Sequence, residues 1–321
     1  MNQKMERSPL QISKLRISTM TTTCQMGTVI NLETLFNSIK TIPYWYLGEG
    51  VLKMEYKGQT KGLCRNDIML KRKREKKTFF NQSSIVIRLE RSPTSWKEVN
   101  VKLFSNGGVQ MTGVPDDATG RAAIEWLGTH IETTYKDVFK TARNIHKYET
   151  QLVNSDYSIG VPIKREKLHK ILVETYGLFS TFESTIYQGV NTKYYYNKAR
   201  KTGPPGICLC PNPCDGTGLG EKIGDCKRIT ISPFQTGRII ITGARSLEQI
   251  EEAYNFMNEL FLKHATEIIR VTIANPKPDV PITKSTSAAK SKHIWVPHPS
   301  PRNIVTIDAE KIIETLPVLN Q

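Results

Sequence analysis

The chain has 321 residues, 38% hydrophobic and 23% charged, enough for two domains or one duplicated domain and too apolar to read as a disordered polymer. Its net charge of +15 favours an anionic partner, most simply nucleic acid. No apolar run is long enough to span a bilayer, and Met1 to Gln11 holds no signal-peptide core. The expectation is therefore an intracellular protein without a membrane partner, its six cysteines reduced unless they hold metal.

In chain order, LRISTMTTTCQM (15–26) is rich in β-branched residues and reads as a strand. NLETLFNSIK follows as a helix, with Asn31 as N-cap and Leu32, Leu35, Phe36 and Ile39 at helical spacing. VLKMEYKG (51–58) reads as a strand. KRKREKK (Lys71 to Lys77) then interrupts the pattern, as a phosphate-contacting run, a nuclear address or a solvated loop. SSIVIRLE (83–90) is a further strand, and EVNVKLFSNGGVQMTG (98–113) is a hairpin turning at Asn106 and Gly107. Residues 117–139 carry a helical pattern.

QLVNSDYSIG (151–160) is a weaker strand. Pro162 is expected to open a helix over IKREKLHKILVETYG. VNTKYYY (190–196) is strand-like, and KRITISPFQTGRIIITG (227–243) is a second hairpin. From Leu247 to Arg270 runs an amphipathic helix, with Ser246 as cap and Gln249 completing a capping box. Beyond Asn275 the chain becomes rich in Pro, Ser and Lys and reads as an extended tail, closed by a short helix in DAEKIIETLP (308–317).

The two hairpins are one unit written twice. Phe104, Gly107, Thr112 and Gly113 recur as Phe234, Gly237, Thr242 and Gly243, every pair 130 positions apart. The spacing continues into the helices, where Ala123, Leu127 and Ile131 answer to Ala253, Met257 and Phe261. The chain divides into an N-terminal segment (1–10), repeat one (11–140), repeat two (141–274) with a cysteine-rich insertion at 203–226, and a tail (275–321). Each half reads as strand, helix, several strands and a long helix, an α+β arrangement with helices on one face of an antiparallel sheet and the other face open. Alternation puts Val99, Val101, Leu103, Val109, Met111, Ile239 and Ile241 inward. It puts Asn100, Lys102, Phe104, Gln110, Thr112, Phe234, Ile240 and Thr242 on the open face.

The insertion supplies Cys208, Cys210, Cys214 and Cys226 with C-x-C-x3-C-x11-C spacing. Four thiols in a Gly/Pro-rich loop fit one structural zinc; free thiols and a disulfide are the alternatives. Cys24 and Cys64 read as core or loop residues. GTGLGEK lacks phosphate-loop spacing and reads as a turn. His130, His146 and His169 are scattered, and no catalytic motif accompanies them, so the chain is not read as an enzyme.

The repeated F-x-x-G-x-(hydrophobic)3-T-G hairpin, followed by a long helix, resembles the TATA-box-binding protein family. TGARSLEQIEEAYNFM, GTVINLETL and VPIKREKL carry the likeness. It covers roughly residues 11–270, and the insertions are most like those of divergent TATA-binding-like proteins of large DNA viruses. The resemblance implies a saddle whose concave sheet lies in a widened minor groove of promoter DNA and bends it with apolar wedges. Phe104 and Phe234 match two wedge positions and Tyr187 a third. The fourth falls near Gln82, with Phe79 and Phe80 just before it; Phe80 is the preferred candidate. Thr112 and Thr242 match threonines on the groove floor. The family's central asparagines fall near Thr19 and Leu152, with Thr21 and Asn154 two residues on. Gln110, Lys102 and Ser232 stand where the family is usually apolar, which counts against a strict TATA preference; the expected partner is AT-rich promoter DNA. The family's partners would be a TFIIB-like factor and RNA polymerase. Its viral branch would place the chain in the host nucleus or a cytoplasmic viral factory, with packaging in the virion a further setting. The rival readings are a saddle that serves as a protein–protein interaction module, and an enzyme built on the thiol cluster.

Overall fold

The computed structural model describes residues 10–69, 79–92 and 95–270. The basic run 71–77, the tail and its short helix lie outside the described residues.

Repeat one opens with strand β1 (Arg16–Gln25). Helix α1 (Leu32–Ser38) follows, capped as expected by Asn31, whose side chain accepts from the Thr34 amide at 3.0 Å. Then come β2 (Gly50–Tyr56), β3 (Gln59–Gly62), a short helix α2 (Arg65–Met69), β4 (Gln82–Ser92), β5 (Ser95–Phe104), β6 (Gly108–Val114) and the long helix α3 (Asp117–Thr134). Repeat two runs β7 (His146–Ser158), α4 (Arg165–Glu174), β8 (Phe179–Thr181), β9 (Asn191–Tyr196), β10 (Lys227–Pro233), β11 (Arg238–Ala244), α5 (Leu247–Lys263) and a final turn of helix, α6 (Ala265–Ile268).

Three helix boundaries differ from the sequence reading. Pro162 does not open α4: Ile163 forms a bridge with Ile269 and the Pro162 carbonyl accepts from Arg270, so the chain stays extended until Lys164. The helix after Asp116 stops at Thr134, because Tyr135 turns extended and Phe139 is drawn into a bridge with Ile30. The last helix breaks at His264. Ser246 does cap α5, through the Gln249 amide, while the Gln249 side chain reaches back to the Arg245 amide.

The strands form one antiparallel sheet ordered β3-β2-β4-β5-β6-β1-β7-β11-β10-β9-β8. β1 and β7 meet at its centre, and each half is built outward from them in the same sequence. Met20 pairs with Val153 there, Thr19 with Asn154 and Thr21 with Leu152. The pseudo-twofold axis passes through the Met20–Val153 pair, since Thr19 and Leu152 are equivalent, as are Thr21 and Asn154.

The equivalence extends to hydrogen bonds. The Ile30 amide reaches the Ser105 carbonyl and the Asn31 amide that of Val138; in repeat two Ile163 reaches Gln235 and Lys164 reaches Ile268. Here the leading strands are 133 residues apart and the hairpins 130, because repeat one carries β3 and α2 and repeat two carries the cysteine insertion at a different connection. In both repeats the Thr-Gly pair ends in a bulge: Gly113 and Gly243 sit at φ +82° and +93°, where the ladder skips a residue.

The core lies between the sheet and its helices. Met20, Val101, Met111, Ile124, Leu127 and Ile131 fill it in repeat one, and Ile229, Ile231, Ile241, Ile250, Met257 and Phe261 in repeat two. The inward residues expected from alternation are all buried. Among the described residues no helix is long and apolar enough to cross a membrane.

β3, α2 and β8 were not read from the sequence. β3 extends the sheet edge beyond β2, and α2 with its flanking turn forms an annex on the face away from the helices. Leu52 is fully buried outside the main core, and Lys53, opposite Val86 on the open face, is buried and pairs with the more exposed Glu55 and Asp67. Arg88 donates to the carbonyls of Tyr44 and Tyr46 and pairs with Glu98, while the Glu98 carboxylate also accepts from the Arg65 amide. Burial alone would raise the Asp67 carboxyl, but bonds from Lys53 and Cys64 bring it down to about 2. Its folded pKa is thus depressed, so the annex is held in full above the ordinary carboxylate range and loosens as pH falls toward 2. Hydrogen-exchange protection at Cys64–Asp67, measured against the intrinsic rate at each pH, is expected to fall on acidification before protection in β1 does; simultaneous loss would contradict this.

Candidate nucleic-acid interface

The face of the sheet away from the helices carries rows of short polar side chains. In repeat one, Thr23, Gln110, Lys102 and Ser84 stand side by side across β1, β6, β5 and β4, and Thr21, Thr112, Asn100 and Val86 form the next row. In repeat two, Asp156, Ile240 and Ser232 align across β7, β11 and β10, beside Thr242, Thr230 and Lys193. Thr19, Leu152 and Asn154 lie between, at the axis. All the residues assigned to this face by sequence are therefore on one surface. Ser232 is buried there, and Lys193 donates to Thr230 Oγ1 at 2.9 Å.

Aromatic rings stand toward both ends. Phe104 and Phe234 occupy matching places at the β5–β6 and β10–β11 turns, each half-buried. The turns require glycine: Gly107 and Gly237 have φ +84° and +81°, and an added Cβ would lie 2.3 Å from the Thr28 carbonyl or 2.0 Å from that of Val161. Phe234 packs edge-on against Tyr187, with centroids 5.7 Å apart and planes at 67°. Gly189 lets them meet, since its missing Cβ would press on both rings.

The sheet register gives a reference for comparing the segments before β9 and β4. Lys193 lies opposite Thr230 and Val86 opposite Asn100, the equivalent of Thr230. Counting back six positions from Lys193 and from Val86, past the start of each strand into the turn before it, reaches Tyr187 and Phe80. Phe80 is 77% exposed. Phe79, also exposed, is one position off this register.

A carboxylate also lies on the open face. Asp156 is buried between two exposed arginines, with Oδ2 2.7 Å from both Arg16 Nη2 and Arg238 Nη2. Burial would raise this carboxyl, but the two guanidiniums hold it below its ordinary range. The arginines are thereby fixed at the open face while keeping most of their surface in water.

The four insertion cysteines converge in space. Their sulfurs all lie within 4.8 Å of one another, with Cys210–Cys226 at 3.5 Å and Cys208–Cys226 at 3.7 Å. A disulfide would need about 2.05 Å, and all four are free thiols. Sulfurs bound to one tetrahedral zinc at about 2.3 Å would stand about 3.8 Å apart, which these distances approach. The Gly224 amide donates to Cys210 Sγ and Asn197 Nδ2 to Cys226 Sγ, the kind of outer bond that steadies metal thiolates. Burial works to raise the Cys208 thiol, but bonds from the Cys214 and Cys210 backbone outweigh it and bring it to about 7. The cluster can hold a metal ion. Cys24 and Cys64 are buried elsewhere.

A TATA-box-binding protein-like protein of Acanthamoeba polyphaga mimivirus is 28% identical over 273 residues, which cover 79% of this chain. The chain is a homologue of that viral protein. Its match spans 66% of the relative's length. No protein-family model matches the chain. Among solved structures, Methanococcus jannaschii TBP aligns with a TM-score of 0.46 and 15% identity, covering 78% of this chain and 99% of that one. The duplicated α+β sheet expected from the TATA-binding-like resemblance is the architecture observed.

Proposed function

We propose that the chain is a DNA-binding transcription initiation factor that lays its open face in the minor groove and bends the duplex. The observation that supports this reading is the matching placement of Phe104 and Phe234 at equivalent hairpin turns of an open, threonine-bearing face, with Tyr187 packed on Phe234; Phe80 is the counterpart we assign to Tyr187. A duplex is itself pseudo-twofold, so one set of contacts serves both halves. The aromatic rings enter base steps and kink them, and the wider contact offsets the unstacking. Thr112, Thr242, Thr19, Thr21, Leu152, Asn154, Gln110, Ile240 and Lys102 meet the groove floor. Arg16 and Arg238, steadied by Asp156, meet phosphates. The helix face then receives a TFIIB-like factor and RNA polymerase. The role needs no catalysis.

We also assign one structural zinc to Cys208, Cys210, Cys214 and Cys226. Its chemistry would be to cross-link a connection that has no hydrophobic core of its own.

End-labelled energy transfer on AT-rich and GC-rich duplexes at two salt concentrations tests the first reading. Salt-dependent binding with bending is expected. Binding without bending would remove the wedges, and no binding would leave the face to a protein partner.

A further inference from the structure

The two halves of the open face are not chemically alike where they meet the groove. At equivalent places across the axis stand Gln110 and Ile240, Thr23 and Asp156, and Glu149 and Arg16. In repeat two the carboxylate of Asp156 is consumed by Arg16 and Arg238, leaving Ile240 as the apolar floor beside Phe234. Repeat one reverses this. Glu149 lies opposite Thr23 on the open face, and Gly108 takes the place of Arg238. Glu149 is exposed, and among the described residues it makes no ion pair; its Oε2 accepts from Gln151 Nε2 at 3.1 Å, and the same amide group donates to Thr23 Oγ1. With Thr23, Gln110, Phe104 and Lys147 it lines a recess of about 450 Å³ on this face. Among the described residues Lys147 is the one cation lining the recess.

An exposed carboxylate on a surface that meets a polyanion is unfavourable unless something there donates to it. The minor groove offers one such donor from its bases, the amino group of guanine; an A·T pair presents acceptors alone. We infer that the repeat-one half of the face, through Glu149 and Gln110 beside Phe104, reads a G·C pair by its guanine amino group, while the Ile240 half accepts A·T. This rests on the minor-groove reading above and makes the binding site directional.

The test is a substitution scan of an AT-rich duplex, measured by fluorescence anisotropy. Each A·T pair is replaced in turn by G·C or by inosine·C, which lacks the guanine amino group. At one position, in one half of the site, G·C should bind about tenfold tighter than inosine·C. Glu149→Ala and Gln110→Ile should each reduce that difference, and the double variant should erase it. Equal or tighter binding of inosine·C at every position overturns the inference while leaving minor-groove binding intact. So does a Glu149→Ala variant that gains affinity equally for all duplexes, since its carboxylate would then only repel phosphate. Failure to bind any duplex would overturn both this inference and the DNA reading beneath it.

Discussion

Replacing Phe104 and Phe234 together by alanine is expected to abolish DNA bending while leaving most of the salt-dependent affinity. A wedge acts by unstacking a base step, a cost of about a few kcal/mol per step that only an inserted side chain offsets. Phosphate neutralisation comes from other residues, so the slope of log affinity against log salt should stay near the wild-type value. Phe104→Leu with Phe234→Leu keeps an apolar wedge and should retain much of the bend. The rings are half-buried, so a melting curve must accompany the comparison. Undiminished bending by the folded double-alanine variant would defeat the wedge assignment.

The second large effect concerns the cysteine cluster. Purified protein should carry one zinc per chain, and chelation should destabilise it. With free zinc about a thousandfold above its dissociation constant, binding contributes about 4 kcal/mol, which for a unit of this size is a fall in Tm of about 10 °C. Cys226→Ser should reproduce the loss, since Cys226 is the buried member and lies closest to two of the others. Asn197→Ala should weaken metal retention by about 10- to 100-fold without removing a ligand. Metal-free protein of unchanged Tm would return the four residues to ordinary thiols.

The duplication was legible because it rests on backbone demands. Gly107 and Gly237 must let the carbonyls of Thr28 and Val161, in the strand-to-helix connections, approach, and Gly113 and Gly243 must turn a bulge, so both repeats keep these residues at one spacing. Strand alternation likewise fixed the faces of Ile239 and Ile241. What could not be read depends on contacts between distant segments. The annex over Leu52 needs Lys53, Asp67, Arg88 and Glu98 to meet, and no periodicity announces that. The choice between Phe79 and Phe80, which the resemblance left resting on spacing alone, gains a reference only once β4 is set against β5. The exchange of Glu149 for Arg16 lies on the leading strands, where the spacing is 133 and not 130, so a search at the hairpin spacing misses it. Pro162 misled because a helix-opening proline and an extended one look alike until Ile163 finds Ile269.

The β1–β7 seam also bears on ancestry. A lone repeat would end in a bare strand of ten or thirteen residues, its amides and carbonyls unmatched along one edge. The simplest object able to cover that edge is a second copy of itself, related by a true dyad. In such a dimer the residue now represented by Met20 and Val153 would face its own duplicate. Gene fusion of that ancestral homodimer would turn the exact axis into the approximate one seen here. Separately expressed halves of the present protein should then seek each other out, or aggregate.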